Sequence, residues 1–120
     1  MKILFFEHLE STHIFLVDQI KHKLLEPPVM VVAEHQSNGV GSRGNVWESV
    51  QEGLYFSFAL FREVLPEDLH LESISIFYGY IFKMVLEEYG SKVWLKWPND
   101  LYIENKKIGG VLSALFGNIV

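Results

Sequence analysis

Two short segments concentrate the side chains able to do chemistry. In Lys96-Trp97-Pro98-Asn99-Asp100 an ammonium group ends an apolar run, Val93-Trp94-Leu95, beside an indole and an Asn-Asp pair. A lysine so placed can stabilise charge developing on a phosphoryl or carboxyl group. From spacing alone the simpler reading is a strand-end lysine that lays its stem along Trp97 to reach water, next to an ordinary Asn-Asp turn. The second segment is Gly39-Val40-Gly41-Ser42-Arg43-Gly44. Its glycines let backbone N–H groups close around an anion. Arg43 adds the one fixed positive charge there, and Trp47 offers a flat apolar surface. A surface loop that uses its glycines only to turn has the same composition.

The glycine segment matches G-x-G-x-x-G, the fingerprint of dinucleotide folds, but its context argues against that chemistry. The fingerprint opens a crossover helix leading to a parallel strand. Here about nine residues, Gly53 among them, separate Gly44 from the next apolar run. No Gly-Lys-Ser/Thr follows, so a P-loop is excluded, and no Gly-x-Ser-x-Gly elbow supports serine hydrolysis. His8, His13, His22, His35 and His70 show no paired spacing, so no metal held by protein side chains is expected. Glu87-Glu88 is a solvated helix face and Lys106-Lys107 a hairpin tip. With no cysteine, thiol nucleophiles and disulfides are ruled out.

These residues must be positioned by one domain's worth of chain, 120 residues with 49% hydrophobic and 21% charged side chains, a globular balance. Lys plus Arg is 10 against Asp plus Glu 15, a net charge of −5, so no nucleic-acid partner is expected. The longest apolar runs fall short of a membrane span, and the N-terminus is no signal peptide. A cytoplasmic protein without a membrane partner is expected.

Lys2–Phe6 is predicted as a strand. Leu16 or Val17, Ile20 and Leu24 recur at helical spacing after a Ser11 or Thr12 cap, and Pro27-Pro28 ends that helix. Val29–Ala33 reads as a buried strand, and Gln36–Glu52 as a long loop without structure of its own, a length that usually signals function. Leu54–Phe61 reads as an aromatic strand. Ile74, Phe77, Tyr78, Ile81, Phe82, Val85, Leu86 and Tyr89 follow the helical template throughout, and Gly90 ends the helix. Val93–Trp97, Leu101–Ile103 and Ile108–Leu115 are predicted strands, with a turn at Glu104–Lys107. Runs of consecutive strands favour an α+β fold, with a mixed, largely antiparallel sheet flanked by helices.

Taken together, these segments resemble biotin protein ligases (biotin–acetyl-CoA-carboxylase ligases). Glu10-Ser11-Thr12-His13 resembles the family's Asp-Ser-Thr-Asn segment before its first helix. Glu34-His35-Gln36 and Gly39–Trp47 resemble its Gln-x-x-Gly-Arg-Gly-Arg-x-Gly-Arg-x-Trp adenylate loop. Lys96-Trp97-Pro98-Asn99-Asp100 is identical to its Lys-Trp-Pro-Asn-Asp signature, and Lys107–Leu112 is similar to Lys-Leu-Ala-Gly-Ile-Leu. The four blocks lie in order over nearly the whole chain.

The resemblance implies the biotin/lipoate ligase catalytic fold, with residues 1–120 forming a single, partial catalytic domain. It implies biotin and ATP as substrates, Mg2+ with the nucleotide, and a biotin carboxyl carrier protein as acyl acceptor. By carry-over, Ser11, Thr12, His13, Gln36, Val40, Gly41, Ser42 and Lys96 would meet biotin. Gly39, Gly41, Arg43, Gly44, Trp47, Asn99 and Lys107 would meet the adenylate or ATP, and Lys96 would be catalytic. Val40 and Ser42 depart from the pattern, standing where the family usually has arginines. His13 replaces an asparagine, and Ala114 a common glutamate. The family continues beyond the position of Val120 with a Gly-x-Gly-x-Asn strand and usually a small C-terminal domain, so a partial catalytic unit is expected, without a preceding DNA-binding helix-turn-helix. A non-catalytic biotin-binding module is the alternative, and a lipoate ligase a minor third. Ile108–Val120 is expected to end as an uncovered apolar strand whose edge would pair with a second copy.

Overall fold

The N-terminal apolar run and the β-branched run after Pro27-Pro28 become parallel neighbours, β1 (Lys2–Leu9) and β2 (Val29–Gln36), in the computed structural model, which describes residues 1–120. Parallel neighbours need a crossover rather than a tight turn, and α1 (Thr12–Lys21) provides it. The register runs from Lys2 opposite Val29 to Leu9 opposite Gln36. β2 therefore extends three residues past the predicted Ala33, and this extension carries Gln36 to the end of β1. The predicted loop 36–52 is not structureless. It contains a small hairpin of β3 (Gly39–Val40) and β4 (Val46–Trp47), closed by a 3-10 turn at Ser42–Gly44. Two-residue strands are too short to display a period in sequence. β5 (Tyr55–Ala59) then pairs antiparallel with β2.

Leu16 and Ile20 lie one turn apart on α1 and pack with Val29, Val31 and Ala59 in the core of this first unit. Val29 and Val31 are fully enclosed. Each such side chain stabilises the fold by roughly 1.5–3 kcal/mol. Leu24, counted in the sequence periodicity, lies beyond the helix and is exposed, because Lys23 adopts a left-handed conformation (φ 57°). Leu25 packs against the core instead.

The chain comprises two compact units, Met1–Leu65 with Ala114–Val120, and Pro66–Ser113. In the second, α2 (Ile74–Glu88) matches its prediction, and Gly90 (φ 88°) turns the chain out of it while Ser91 N–H donates to the Leu86 carbonyl. An antiparallel meander follows, β6 (Trp94–Lys96), β7 (Asp100–Ile103) and β8 (Lys106–Gly110). Leu95 and Leu101 face each other on one side of it. Glycine at 79 lets α2 approach this layer, since a Cβ there would lie 3.0 Å from Leu95 Cδ1.

The α+β expectation holds, with the strands forming three small sheets rather than one. Ile108–Val120, however, is not one uncovered strand. β8 ends at Gly110, and the last residues return to the first unit, where Leu60 and Val120 exchange backbone hydrogen bonds of 2.8 and 2.9 Å and Arg62 N–H donates to the Asn118 carbonyl. Gly117 (φ 59°) makes the turn that permits this return.

Gly79→Val should force α2 and β6 apart and destabilise the second unit by about 1–3 kcal/mol. A lowered urea midpoint at constant slope would report it, and an unchanged midpoint would contradict this packing.

Candidate functional site

In the first unit the polar candidates converge where β1 and β2 end. Ser11, extended at φ −159°, is the N-cap of α1, and its Oγ accepts a 3.2 Å hydrogen bond from Ile14 N–H. Thr12 N–H donates to Gln36 Oε1 at 2.8 Å, and Thr12 Oγ1 lies 3.1 Å from the same oxygen. Ser11 and Thr12 are only 2% and 3% exposed. Two hydroxyls that the sequence reading overlooked complete this cluster. Ser57 Oγ on β5 sits 2.8 Å from Thr12 Oγ1. Ser49 Oγ accepts from Gln36 N–H (2.8 Å) and donates to the Gln36 carbonyl (2.7 Å), pinning the chain after the hairpin to the end of β2. A lone serine in Tyr-Phe-Ser-Phe-Ala was the available signal for Ser57, since a hydroxyl in an apolar strand needs a partner. Ser49 had none.

The glycines of the loop have distinct tasks. A Cβ on Gly39 would lie 2.8 Å from Gln36 Nε2 and 3.0 Å from Trp47 Cβ; one on Gly41 would lie 3.0 Å from Trp47 Nε1. Both positions are thus kept bare for close packing of Gln36 and Trp47. Gly44 has open space around it but adopts φ +75°, directly after Arg43 at φ 57°. Gly41 N–H donates to the Asn45 carbonyl at 2.7 Å. That amide is spent on closing the turn, so the anion nest expected from the glycines does not include it. Arg43 is exposed at the hairpin tip, Val40 and Ser42 are half-buried beside it, and His13 is half-buried on the first turn of α1. Burial pushes the His13 imidazole below its ordinary pKa, favouring the neutral ring.

The second unit holds the remaining candidates. Cross-strand register puts Lys96 opposite Asp100. Asp100 nevertheless pairs with Lys107, Nζ to Oδ1 2.9 Å. Lys96 Nζ instead lies 5.1 Å from the centroid of the Tyr102 ring. Asn99 Nδ2 donates to the Val111 carbonyl (3.2 Å) while Val111 N–H donates to the Asn99 carbonyl (2.9 Å), which aligns the chain after β8 with the connection between β6 and β7. In that connection Trp97-Pro98 is a cis peptide and the indole is 71% exposed. No three His, Asp or Glu side chains converge as metal ligands, and no helix is long and apolar enough to cross a membrane.

The family profile of biotin/lipoate A/B protein ligases matches residues 5–118. Biotin–protein ligase 2 of Arabidopsis thaliana is 36% identical over 115 residues, which cover 89% of this chain and 33% of that protein. The bifunctional ligase/repressor BirA of Escherichia coli is 34% identical over 111 residues, 91% of this chain and 33% of BirA. Among solved structures, biotin acetyl coenzyme A carboxylase synthetase from Helicobacter pylori with bound biotinylated ATP superposes with a TM-score of 0.97 at 44% identity, covering 98% of this chain and 56% of that one. The biotin protein ligase of Aquifex aeolicus in complex with biotin and ATP gives 0.79 at 30% identity, covering 98% and 48%. This chain therefore spans about a third of the curated relatives and about half of the solved ones.

The lowered His13 pKa has a signed consequence for stability. The unfolded chain binds this proton more readily, so the contribution is intact above the ordinary histidine value of about 6.5 and is lost as pH falls from there towards the lower folded value. His13→Asn should remove this component: its unfolding midpoint relative to the unsubstituted chain should rise steadily between about pH 7 and pH 5. Parallel midpoint curves for the two proteins would contradict it.

Proposed function

Because the chain belongs to the biotin/lipoate A/B protein ligase family, we propose that it activates biotin with ATP as part of a biotin protein ligase, its 120 residues acting as one partial catalytic domain. In the proposed first step a biotin carboxylate oxygen attacks the α-phosphorus of ATP. The new C(O)–O–P bond gives biotinyl-5′-adenylate, and the bond to the β-phosphate breaks to release pyrophosphate. In the second step a lysine amine of a biotin carboxyl carrier protein attacks the anhydride carbonyl, forming the amide and releasing AMP and a proton. The acceptor supplies the nucleophile, so the chain's own work is positioning and charge stabilisation. A cytoplasmic location belongs to the same proposal.

Ser11, Thr12 and Gln36 present hydroxyl and amide groups suited to the neutral ureido ring and the carboxylate of biotin. His13, Val40, Gly41 and Ser42 would border it. Gly39, Arg43, Gly44 and Trp47 are assigned to the adenylate. Asn99 and Lys107 would meet the nucleotide as well, Asn99 with its side-chain oxygen, since Nδ2 already holds Val111. Mg2+ would supply charge neutralisation as the companion of the triphosphate. With no cluster of His or carboxylate side chains to hold it, phosphate oxygens would be its main ligands.

The observation that carries the proposal is the partition of charge around Asp100. Lys107 occupies the carboxylate, so Lys96 keeps an ammonium group held by an aromatic face rather than an anion. Such a cation can neutralise charge developing between the biotin carboxylate and the α-phosphate. The solved relatives with bound biotinylated ATP, and with biotin and ATP, support the substrate assignment. A second function, biotin held without activation, is favoured by Val40 and Ser42, which leave Arg43 as the loop's single cation.

Titration calorimetry with biotin and pyrophosphate release under MgATP test both. The proposed ligase binds biotin and releases pyrophosphate; binding without release favours the second function, and displacement of biotin by lipoate would point to lipoate as substrate. Lys96→Ala should lower pyrophosphate release about 100-fold or more with an unchanged folding midpoint. Undiminished release would remove Lys96 from the catalytic role.

A further inference from the structure

We propose that Ser57 is a positioning residue for ligand binding, acting through Thr12 to hold the Gln36 amide firmly in the orientation that presents Nε2 to the ligand. This rests on the biotin-binding role proposed for Gln36. The two ends of a glutamine amide are alike in shape and opposite in polarity, so something must choose between them. Thr12 N–H can only donate, and it lies 2.8 Å from the amide; the end it meets must be the oxygen. Nε2 then points away, towards the space beside Gly39, where a Cβ would come within 2.8 Å of it.

Thr12 Oγ1 has a single proton and two neighbours able to accept it, Gln36 Oε1 at 3.1 Å and Ser57 Oγ at 2.8 Å. Were the proton given to Ser57, the lone pairs of Oγ1 would face those of Oε1, opposing the amide orientation that Thr12 N–H imposes. Donation by Ser57 to Thr12 removes the conflict. The hydroxyls then form a one-way chain, Ser57 to Thr12 to the Gln36 carbonyl, each bond polarising the next. The amide oxygen is saturated by Thr12, and both Nε2 hydrogens are left for an acceptor oxygen of the ligand. Ser57 lies opposite Val31 on β5, on the face that also buries Ala59, where packing alone would be served by alanine. Its hydroxyl is explained by what it gives Thr12.

The test uses the full chain with two readouts, biotin calorimetry and the nitrogen–proton correlation of the Gln36 side-chain amide without ligand, assigned by its loss in Gln36→Glu. Ser57→Ala removes one atom and should weaken biotin binding about tenfold, the scale of one hydrogen bond, with a nearly unchanged thermal midpoint. The Gln36 amide pair should shift because Thr12 Oγ1, no longer polarised by Ser57, binds the amide oxygen less strongly. Ser57→Thr, which keeps the hydroxyl, should restore affinity to within about twofold. Wild-type affinity together with an unshifted Gln36 amide in Ser57→Ala overturns the proposal. Equal losses in the alanine and threonine variants also overturn it, because packing rather than the proton would then matter. If the unsubstituted chain fails to bind biotin, the biotin assignment falls and the amide correlation alone decides: a shift in Ser57→Ala supports the relay, and none overturns it.

Discussion

The first turn of a helix carries backbone N–H groups with no intrahelical partner, and the way α1 satisfies them organises the first unit. Ser11 takes the Ile14 N–H through its own hydroxyl, while Thr12 N–H is taken by a residue of another element, Gln36 at the end of β2. Both Ser11 and Thr12 are nearly sealed from water, so solvent cannot replace these partners. Leaving one donor unmet there costs about 1–3 kcal/mol. The parallel register that sets Leu9 beside Gln36 is what brings the glutamine within reach. A requirement of folding thus gathers hydroxyls and an amide at one point, and the proposed binding of biotin reuses atoms that the helix start already needs.

The second unit solves an electrostatic problem by sharing out charge. Asp100 stands directly opposite Lys96 across two strands, yet its carboxylate is bound by Lys107 from the next strand. As a partly exposed pair this bridge is worth about 0–1 kcal/mol. Its larger effect is on Lys96, which is left over the Tyr102 ring. The whole chain is net negative, at −5, so its overall field does not draw in anions. Attraction has to be local. At about 4 Å a unit charge pair is worth about 4 kcal/mol near a protein surface against about 1 in water. In the proposed reaction the ammonium of Lys96, close to the Tyr102 ring, would supply that attraction.

What could be read from sequence follows the range of the interactions involved. α2 was fully legible, because fifteen residues repeat one period and Gly90 marks the exit. The start of α1 was legible from its cap, but its end was not, since Lys23 leaves the helix through a left-handed conformation that the spacing of Leu24 does not reveal. The short hairpin at Gly39–Trp47 escaped for lack of length. Around the candidate site, spacing alone left the glycine loop undecided and favoured an ordinary strand-end role for Lys96, and the resemblance of Lys96–Asp100 to a known signature supplied the direction. The structure divides the glycines into two that allow close packing and one that allows a left-handed turn. Ser49 and Ser57 were missed because their roles depend on residues 13 and 45 positions away, pairings that exist only once the sheet forms.

The two groups of candidate residues differ in chemical kind, and that difference suits the proposed reaction. Biotin offers a ring that is polar but uncharged, and the cluster at Thr12, Gln36 and Ser57 is likewise uncharged and substantially enclosed. Hydrogen bonds among neutral groups hold their geometry without the large desolvation cost of a buried ion pair. His13, the titratable group beside them on α1, is pushed by burial towards its neutral form and so adds no fixed charge. In the proposed reaction the charge would come from the exposed cations Arg43 and Lys96. A buried cation at the ring site would have to be desolvated in every state of the protein, whether or not ligand is present. Placed at the surface, it remains hydrated until the anion arrives, and its attraction then acts on the bound anion and on the charge that develops during phosphoryl transfer.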